Sequence, residues 1–482
     1  MKVLHVSAEC YPAAKAGGLG DVVGALPKYL NNMEWPSAVI MPKYRTKWVR
    51  AQKIRPVFAG VYPLKGDLIP YSIEMAENTE LGFPLYLVNI VGQFDRPGIY
   101  GDSDTGWYTD NGTRFIHFQL ATLAWVKQMP LPPSLIHCHD YHSGLIPFLI
   151  KYGEGYESMR EVPTVFTIHN GEYHGELPWK HTDLLPKFPP TAKGLLDWNG
   201  LINPLASGIK CAWTLTTVSP TYLDELSQDA NGLEVLFKQE KSKSIGVLNG
   251  IDDKVWDPAS DPLIEHHFTG DWSSFKRKNK EELLDQFHFD IRFPVVTFIG
   301  RLVREKGADI LPDLIDRMLK STNDVNFLVL GTGEPHIHEG LMGLKNIYHR
   351  RFDVALEYNE QLAHQLYAGS DFLLMPSRVE PCGLNQMYAM RYGTVPIVRT
   401  VGGLKDTVID VLESSTEGRG FRFDLFNLEE AQHALWRARE YAQQSQHFHD
   451  LRERITHVDF SWDQAALHYI SIYKHFQNLS LL

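Results

Sequence analysis

The feature that most restricts this chain is a rhythm of short, almost continuously apolar runs separated by helix-sized segments, present in both halves. In the first half the runs fall at 2–7, 37–41, 135–138, 164–168 and 215–218; in the second, at 295–299, 326–330, 371–375 and 395–398. A strand that is apolar at every position, rather than every second one, has to be covered on both faces. Parallel sheets flanked by helices provide that cover. The pattern predicts an α/β chain with two doubly wound, Rossmann-like domains. Such sheets bind ligands outside the carboxyl ends of their strands, so chemistry is to be sought just beyond each run.

Two of those strand exits join glycine to cations. Lys15-Ala16-Gly17-Gly18-Leu19-Gly20-Asp21 follows the first run, and Gly300-Arg301-Leu302-Val303-Arg304-Glu305-Lys306-Gly307 follows the run at 295–299. Backbone N–H groups and the positive end of a helix favour an anion at such turns. Neither has the spacing of a P-loop or of a dinucleotide fingerprint, which argues against nucleotide hydrolysis and hydride transfer. Lys15 supplies a mobile charge, and Gly17 and Gly18 admit close backbone approach. Arg301 and Lys306 could clamp a diphosphate leaving group. Alone, the first loop reads as well as a solvated turn and the second reads more readily as one; the pair in opposite halves points to a phosphorylated ligand in a cleft between two domains.

Other exits carry polar groups. Glu380-Pro381-Cys382-Gly383-Leu384-Asn385 sets a carboxylate and helix-opening amides beyond the run at 371–375, and Gly402-Gly403-Leu404 repeats the device after the next. His137-Cys138-His139-Asp140-Tyr141-His142 resembles a metal site, but a closed zinc site needs four ligands and no distant Cys/His pair is evident. Asp140 is instead read as a hydrogen-bonding or general-base residue, with His169 at the neighbouring exit. Asp102-Ser103-Asp104 has the form of a metal-binding DxD, yet its Gly- and Tyr-rich loop suits a solvated turn.

The 482 residues suffice for two or three domains. The boundary is placed beside Gly246-Val247-Leu248-Asn249-Gly250, giving domains at 1–246 and 247–459 and a final segment at 460–482. That last segment opens with a capping-box pattern, Ser461 and Gln464, before a helix with Ala466, Tyr469, Ile470 and Tyr473 on one face. A net charge of −11 argues against nucleic-acid or anionic-membrane partners. No apolar run approaches membrane-spanning length. Four widely spaced cysteines without a CxxC, and no signal-peptide pattern, give the expectation of a reduced, cytoplasmic protein.

With these clusters in order, the chain resembles bacterial glycogen synthases and plant starch synthases, retaining glycosyltransferases of family 5 with the GT-B architecture. The resemblance covers almost the full length. It rests on the Lys15–Asp21 segment, His139-Asp140, Thr167-Ile168-His169-Asn170, Val247-Leu248-Asn249-Gly250-Ile251-Asp252, Arg301 with Lys306, Pro376-Ser377-Arg378, Glu380-Pro381-Cys382-Gly383-Leu384 and Thr400-Val401-Gly402-Gly403-Leu404. It implies two lobes facing each other across a cleft, a last helix crossing back to the N-terminal domain, and closure that excludes water. It also implies ADP-glucose as donor, an α-1,4-glucan as acceptor, and no metal or other cofactor.

By the same resemblance, Arg301 and Lys306 neutralise the diphosphate, with Lys15 and the Gly17 and Gly18 amides from the other domain. Glu380 and the amides of Cys382, Gly383 and Leu384 hold the glucosyl hydroxyls, with Gly402 and Gly403 beside them. His169 lies against the sugar and Asp140 near the reacting centre. Asp21 and Asn249 line the donor pocket, and Tyr358 packs on the base. Ala16 stands where many relatives have Thr, and Tyr388 where the wider superfamily often has a second glutamate; family 5 commonly lacks that glutamate. The rival readings are a related enzyme using UDP-glucose or a small sugar acceptor, a nucleotide-sugar epimerase, and a noncatalytic glucan-binding paralogue.

Overall fold

A computed structural model of the chain describes residues 1–77, 79–102 and 106–479. The chain divides into two compact units. One holds Met1–Val218, Leu223–Leu248 and the segment from Trp462 onward; the other holds Ser219–Tyr222 and Asn249–Ser461.

The first unit is built on a nine-stranded sheet. Its strands are β1 (Val3–Val6), β2 (Ser37–Pro42), β3 (Ile54–Leu64), β4 (Asp67–Ala76), β5 (Leu85–Asn89), β6 (Leu135–His139), β7 (Thr164–Ile168), β8 (Thr214–Thr217) and β9 (Ser244–Gly246). They lie in the order β9-β8-β7-β6-β1-β2-β5-β4-β3. All neighbours pair parallel except β5 with β4 and β4 with β3. That antiparallel edge departs from the wholly parallel sheet expected from the sequence. β3 alternates exposed and half-buried residues along most of its length, so it lacks the continuous apolar run by which a doubly covered strand is recognised. The order reverses at β1, which β2 and β6 flank.

The second unit has a six-stranded sheet of β10 (Val295–Ile299), β11 (Asn326–Leu330), β12 (Phe352–Ala355), β13 (Phe372–Met375), β14 (Val395–Arg399) and β15 (Phe421–Phe423). Its order, β12-β11-β10-β13-β14-β15, is that of a Rossmann sheet, and every pairing is parallel. The switch point lies between β10 and β13. Helix Leu311–Ser321 shows how the cover is made: Leu311, Leu314, Ile315, Met318 and Leu319 are buried, the spacing that gathers side chains on one helical face. Pro312 stands in its first turn, where a missing N–H costs nothing.

The last helix, Trp462–Leu479, buries Ala466, Tyr469, Ile470 and Tyr473. These share one core with Val22, Leu26 and Leu30 of helix Gly18–Asn32 and with Val3, Leu135 and Val165 of the first sheet. Val247, just past the expected boundary, joins the same core. All four cysteines are free and buried. Among the described residues no helix is long and apolar enough to cross a membrane.

Candidate active site

In each unit most of the sequence-derived site residues follow strands at or beside the switch point of the sheet; Tyr358, which follows the edge strand β12, does not. In the first, the chain leaves β1 into a loop organised by a residue that sequence reasoning missed. Glu9 is buried, and its carboxylate accepts the N–H groups of Ala16 (2.6 Å) and Gly17 (3.0 Å) and the Tyr100 hydroxyl (2.7 Å). Burial pushes the Glu9 carboxyl upward, and those three donors pull against it. The Gly17 amide, expected to face a phosphate, is thus already given to Glu9. A Cβ at Gly17 or Gly18 would meet nothing within 4 Å, so both glycines face open space. Lys15 pairs with Asp21 of the first helical turn at 2.7 Å and keeps 44% of its side chain exposed, leaving the ammonium within reach of an incoming anion.

At the neighbouring exits, Asp140 follows β6 and His169 follows β7. Asp140 Oδ1 accepts the backbone N–H of His169 at 2.7 Å and of Asn170 at 3.4 Å. Its backbone sits at φ 53° and ψ 180°, a region that L-residues avoid; strain of this kind collects at functional sites. Burial pushes the carboxyl up to about 7 against the pull of those two amides, with Glu9 adding to the rise. Asp140 therefore fixes the His169 turn, and its titration falls near neutrality.

Behind this pair lies a polar row. Strand register places His5 opposite His137, His139 opposite Thr167, and Thr167 opposite Thr216, and side chains two apart share a face. His137 bonds Tyr473 through Nδ1 (2.8 Å) and Thr167 through Nε2 (2.6 Å). His5 contributes a third imidazole, so that ligand-type atoms of His5, His137 and His139 lie within 4.8 Å of one another. The sequence offered no sign of this, since His5 lies 134 residues from His139. The rings are not arranged to coordinate an ion: His137 and His139 stack at 4.2 Å between centroids, and both nitrogens of His137 are hydrogen-bonded. Coordination needs in-plane lone pairs converging on one point.

A second group missed from sequence is a ladder of rings. His142 and Tyr100 stack at 5.1 Å, Tyr100 and Trp107 at 5.6 Å, and Trp107 and Tyr173 at 6.1 Å, all within 22° of parallel. It runs from buried His142 to Trp107 and Tyr173, which are 56% and 48% exposed. Sugar C–H faces pack on such aromatic faces, whose quadrupole is negative. Of the DxD pattern nearby, Ser103 and Asp104 lie outside the described residues; Asp102 accepts the Tyr108 hydroxyl at 2.8 Å.

In the second unit, Arg301 and Lys306 follow β10 and Glu380 follows β13, the two strands of the switch point. Asn385 ties these exits together by donating to the Ile299 carbonyl at 2.7 Å. Lys306 Nζ reaches both Glu380 oxygens, at 2.8 and 2.9 Å, and the Ser377 hydroxyl donates to Glu380 at 3.0 Å. An ammonium has three N–H donors, so one remains for a ligand. Arg301 pairs with Glu305 at 3.1 Å and is 62% exposed along its side chain, a guanidinium easily drawn to a phosphate.

The glycines beside them have a packing reason. A Cβ at Gly402 would stand 2.0 Å from the Glu380 carbonyl oxygen, and one at Gly403 2.1 Å from that of Cys382. Gly403 N–H also donates to the Glu380 and Pro381 carbonyls, at 3.1 and 3.2 Å. These two glycines let the chain press against the Glu380–Cys382 turn. Gly383 has φ 73° and bends the backbone into helix Asn385–Arg391, which begins right after Leu384. Asn249 is buried against Cys382, and its Oδ1 has no partner among the described residues. Tyr358, 86% exposed, lies on the loop after β12. Tyr388 stacks on Trp256 at 3.8 Å between ring centroids.

Residues 2–239 match the family model of the starch synthase catalytic domain, and residues 293–422 that of glycosyl transferases group 1. A glycogen synthase of Flavobacterium johnsoniae is 44% identical over 475 residues, covering 98% of both chains, and one of Streptococcus sanguinis is 35% identical, covering 98% of this chain and 99% of its own. The solved catalytic domain of starch synthase IV from Arabidopsis thaliana, bound to ADP and acarbose, superposes with a TM-score of 0.86 at 31% identity, over 98% of this chain and 99% of that one. A sucrose-phosphate synthase from Thermosynechococcus elongatus, with a TM-score of 0.62 at 16% identity, shares the fold. The chain belongs to the glycogen and starch synthase family of glycosyltransferases.

Proposed function

We propose that the protein lengthens an α-1,4-glucan by transferring glucose from ADP-glucose to a nonreducing-end 4-hydroxyl with retention of configuration. The observation that carries this reading is the Lys306–Glu380 pair at the second sheet's switch point. It joins a cation suited to a departing diphosphate to a buried carboxylate suited to sugar hydroxyls.

In this mechanism Arg301 and the remaining Lys306 N–H balance charge on the diphosphate as the C1–oxygen bond breaks, and Lys15, beside Asp21, is an exposed cation available to a phosphate. Glu380, with the Cys382, Gly383 and Leu384 amides, holds the glucosyl ring, while Asn249 and Tyr358 serve the rest of the donor. The acceptor 4-oxygen forms the new bond on the face the leaving group vacates, and its proton passes to the departing phosphate oxygen, giving ADP. His169 contacts the sugar, and Asp140 holds the turn that carries it. The acceptor glucan packs along Trp107 and Tyr173. No step calls for a metal. The protein then lowers the barrier chiefly by stabilising charge with preorganised groups.

Side-by-side assays of ADP-glucose and UDP-glucose, with and without glycogen and with chelator present, test the proposal. Label entering glycogen from ADP-glucose at a rate at least tenfold above that from UDP-glucose is the expected result. Preference for UDP-glucose, or turnover that needs no acceptor, refutes it.

A further inference from the structure

The histidine row holds a hydrogen-bonded string whose direction can be worked out. His5 Nδ1 lies 3.1 Å from His139 Nε2, and His139 Nδ1 lies 3.0 Å from His169 Nε2. A bond between two imidazole nitrogens takes one N–H and one bare nitrogen, and a neutral ring has a single N–H. Only two proton arrangements satisfy both bonds. Either every ring carries its proton on Nδ1, leaving His5 Nε2 bare and His169 Nδ1–H at the outer end, or every ring carries it on Nε2.

The inner end decides between them. His5 Nε2 is buried without a partner among the described residues. In the second arrangement it would be an unpaired buried N–H, the rarer and costlier defect; in the first it is an unused lone pair. The string therefore runs outward, each ring donating to the next. Burial keeps the rings neutral: it lowers His5 and His169 to about 3 and drives His139 well below its ordinary value.

We propose that His139, backed by His5, is a positioning residue that holds His169 in its Nδ1–H tautomer, so that His169 meets the sugar as a hydrogen-bond donor and not as a base. This rests on the reading of His169 as a sugar-contacting residue. It adds two residues, one in β1 and one in β6, that need not touch substrate themselves.

The test uses the full chain labelled with ¹⁵N-histidine, with the His169 signals assigned by their loss in His169→Asn. Long-range ¹⁵N–¹H spectra between pH 6 and 9 are expected to show His169 protonated on Nδ1 and bare on Nε2 throughout. A proton on Nε2 overturns the proposal. Kinetics give a second readout. His139→Asn sets an amide N–H where Nδ1 stood and is expected within about threefold of the wild-type kcat. His139→Leu removes the donor and is expected to lower kcat about tenfold or more, with the KM for ADP-glucose little changed. Equal kcat in the Leu and Asn variants overturns the positioning role. Should the Leu variant fail to fold, the wild-type spectrum decides. If the wild type moves no glucose from ADP-glucose, the functional reading fails while the tautomer is still read from the spectrum.

Discussion

Replacing Asp140 by Asn should make the protein more stable in alkali than the wild type, relative to the same comparison in acid. The carboxyl titrates at about 7 in the folded chain against 3.8 ordinarily, with burial the main cause. Between those values the native state holds a proton that the unfolded chain has released, so stability falls as pH rises through that window. Integrated from pH 5 to pH 8.5, the wild type loses about 3 kcal/mol at this one site. Asn has the same shape and an oxygen for the two amides that Asp140 serves, and it carries no charge. Its own amide is buried equally at both pH values, so that contribution cancels in the difference of differences. Urea unfolding of both proteins at pH 5 and pH 8.5 measures it. The variant should gain about 3 kcal/mol on the wild type between the two conditions. A gap that stays constant within about 1 kcal/mol, or moves the other way, refutes the claim that Asp140 is a destabilised buried carboxylate.

Other perturbations separate the remaining roles. Trp107→Ala removes the exposed rung of the ring ladder and should raise the KM for glycogen about three- to tenfold, with the KM for ADP-glucose unchanged in the same initial-rate assay. Lys15→Ala removes an exposed cation and should raise the KM for ADP-glucose several-fold, an effect that shrinks as salt is added. Gly403→Ala drives a Cβ to 2.1 Å from the Cys382 oxygen and should destabilise the second unit by about 1–3 kcal/mol, read as a lower urea midpoint.

What was legible in the sequence follows from burial. β7, β10 and β11 fall where the apolar runs put them, because strands covered on both faces are apolar at every position. β3 and β4 were not, because an edge hairpin with one wet side mixes Arg55, Pro56 and Tyr71 in a pattern that no continuous run betrays. At the site, Lys306 and Glu380 were each legible as a residue beyond a strand exit, but their pairing depends on β10 and β13 being neighbours, which only the topology declares. Glu9 could not, since its role depends on Tyr100, 91 residues away, and on amides of a loop whose path the sequence does not declare. The same holds for His5, whose meaning comes only from strand register. The pair Gly402-Gly403 was visible as a motif, but its reason, close passage of the Glu380–Cys382 backbone, is a tertiary fact.

The central claim, that cations at the second switch point stabilise a departing diphosphate, is tested most directly by the kcat for radiolabelled glucose transfer from ADP-glucose into glycogen by Arg301→Ala and Lys306→Ala. Loss of one such contact should lower kcat by about 10²–10³ while ADP binding weakens in parallel. Rates within about threefold of the wild type in both variants would contradict it.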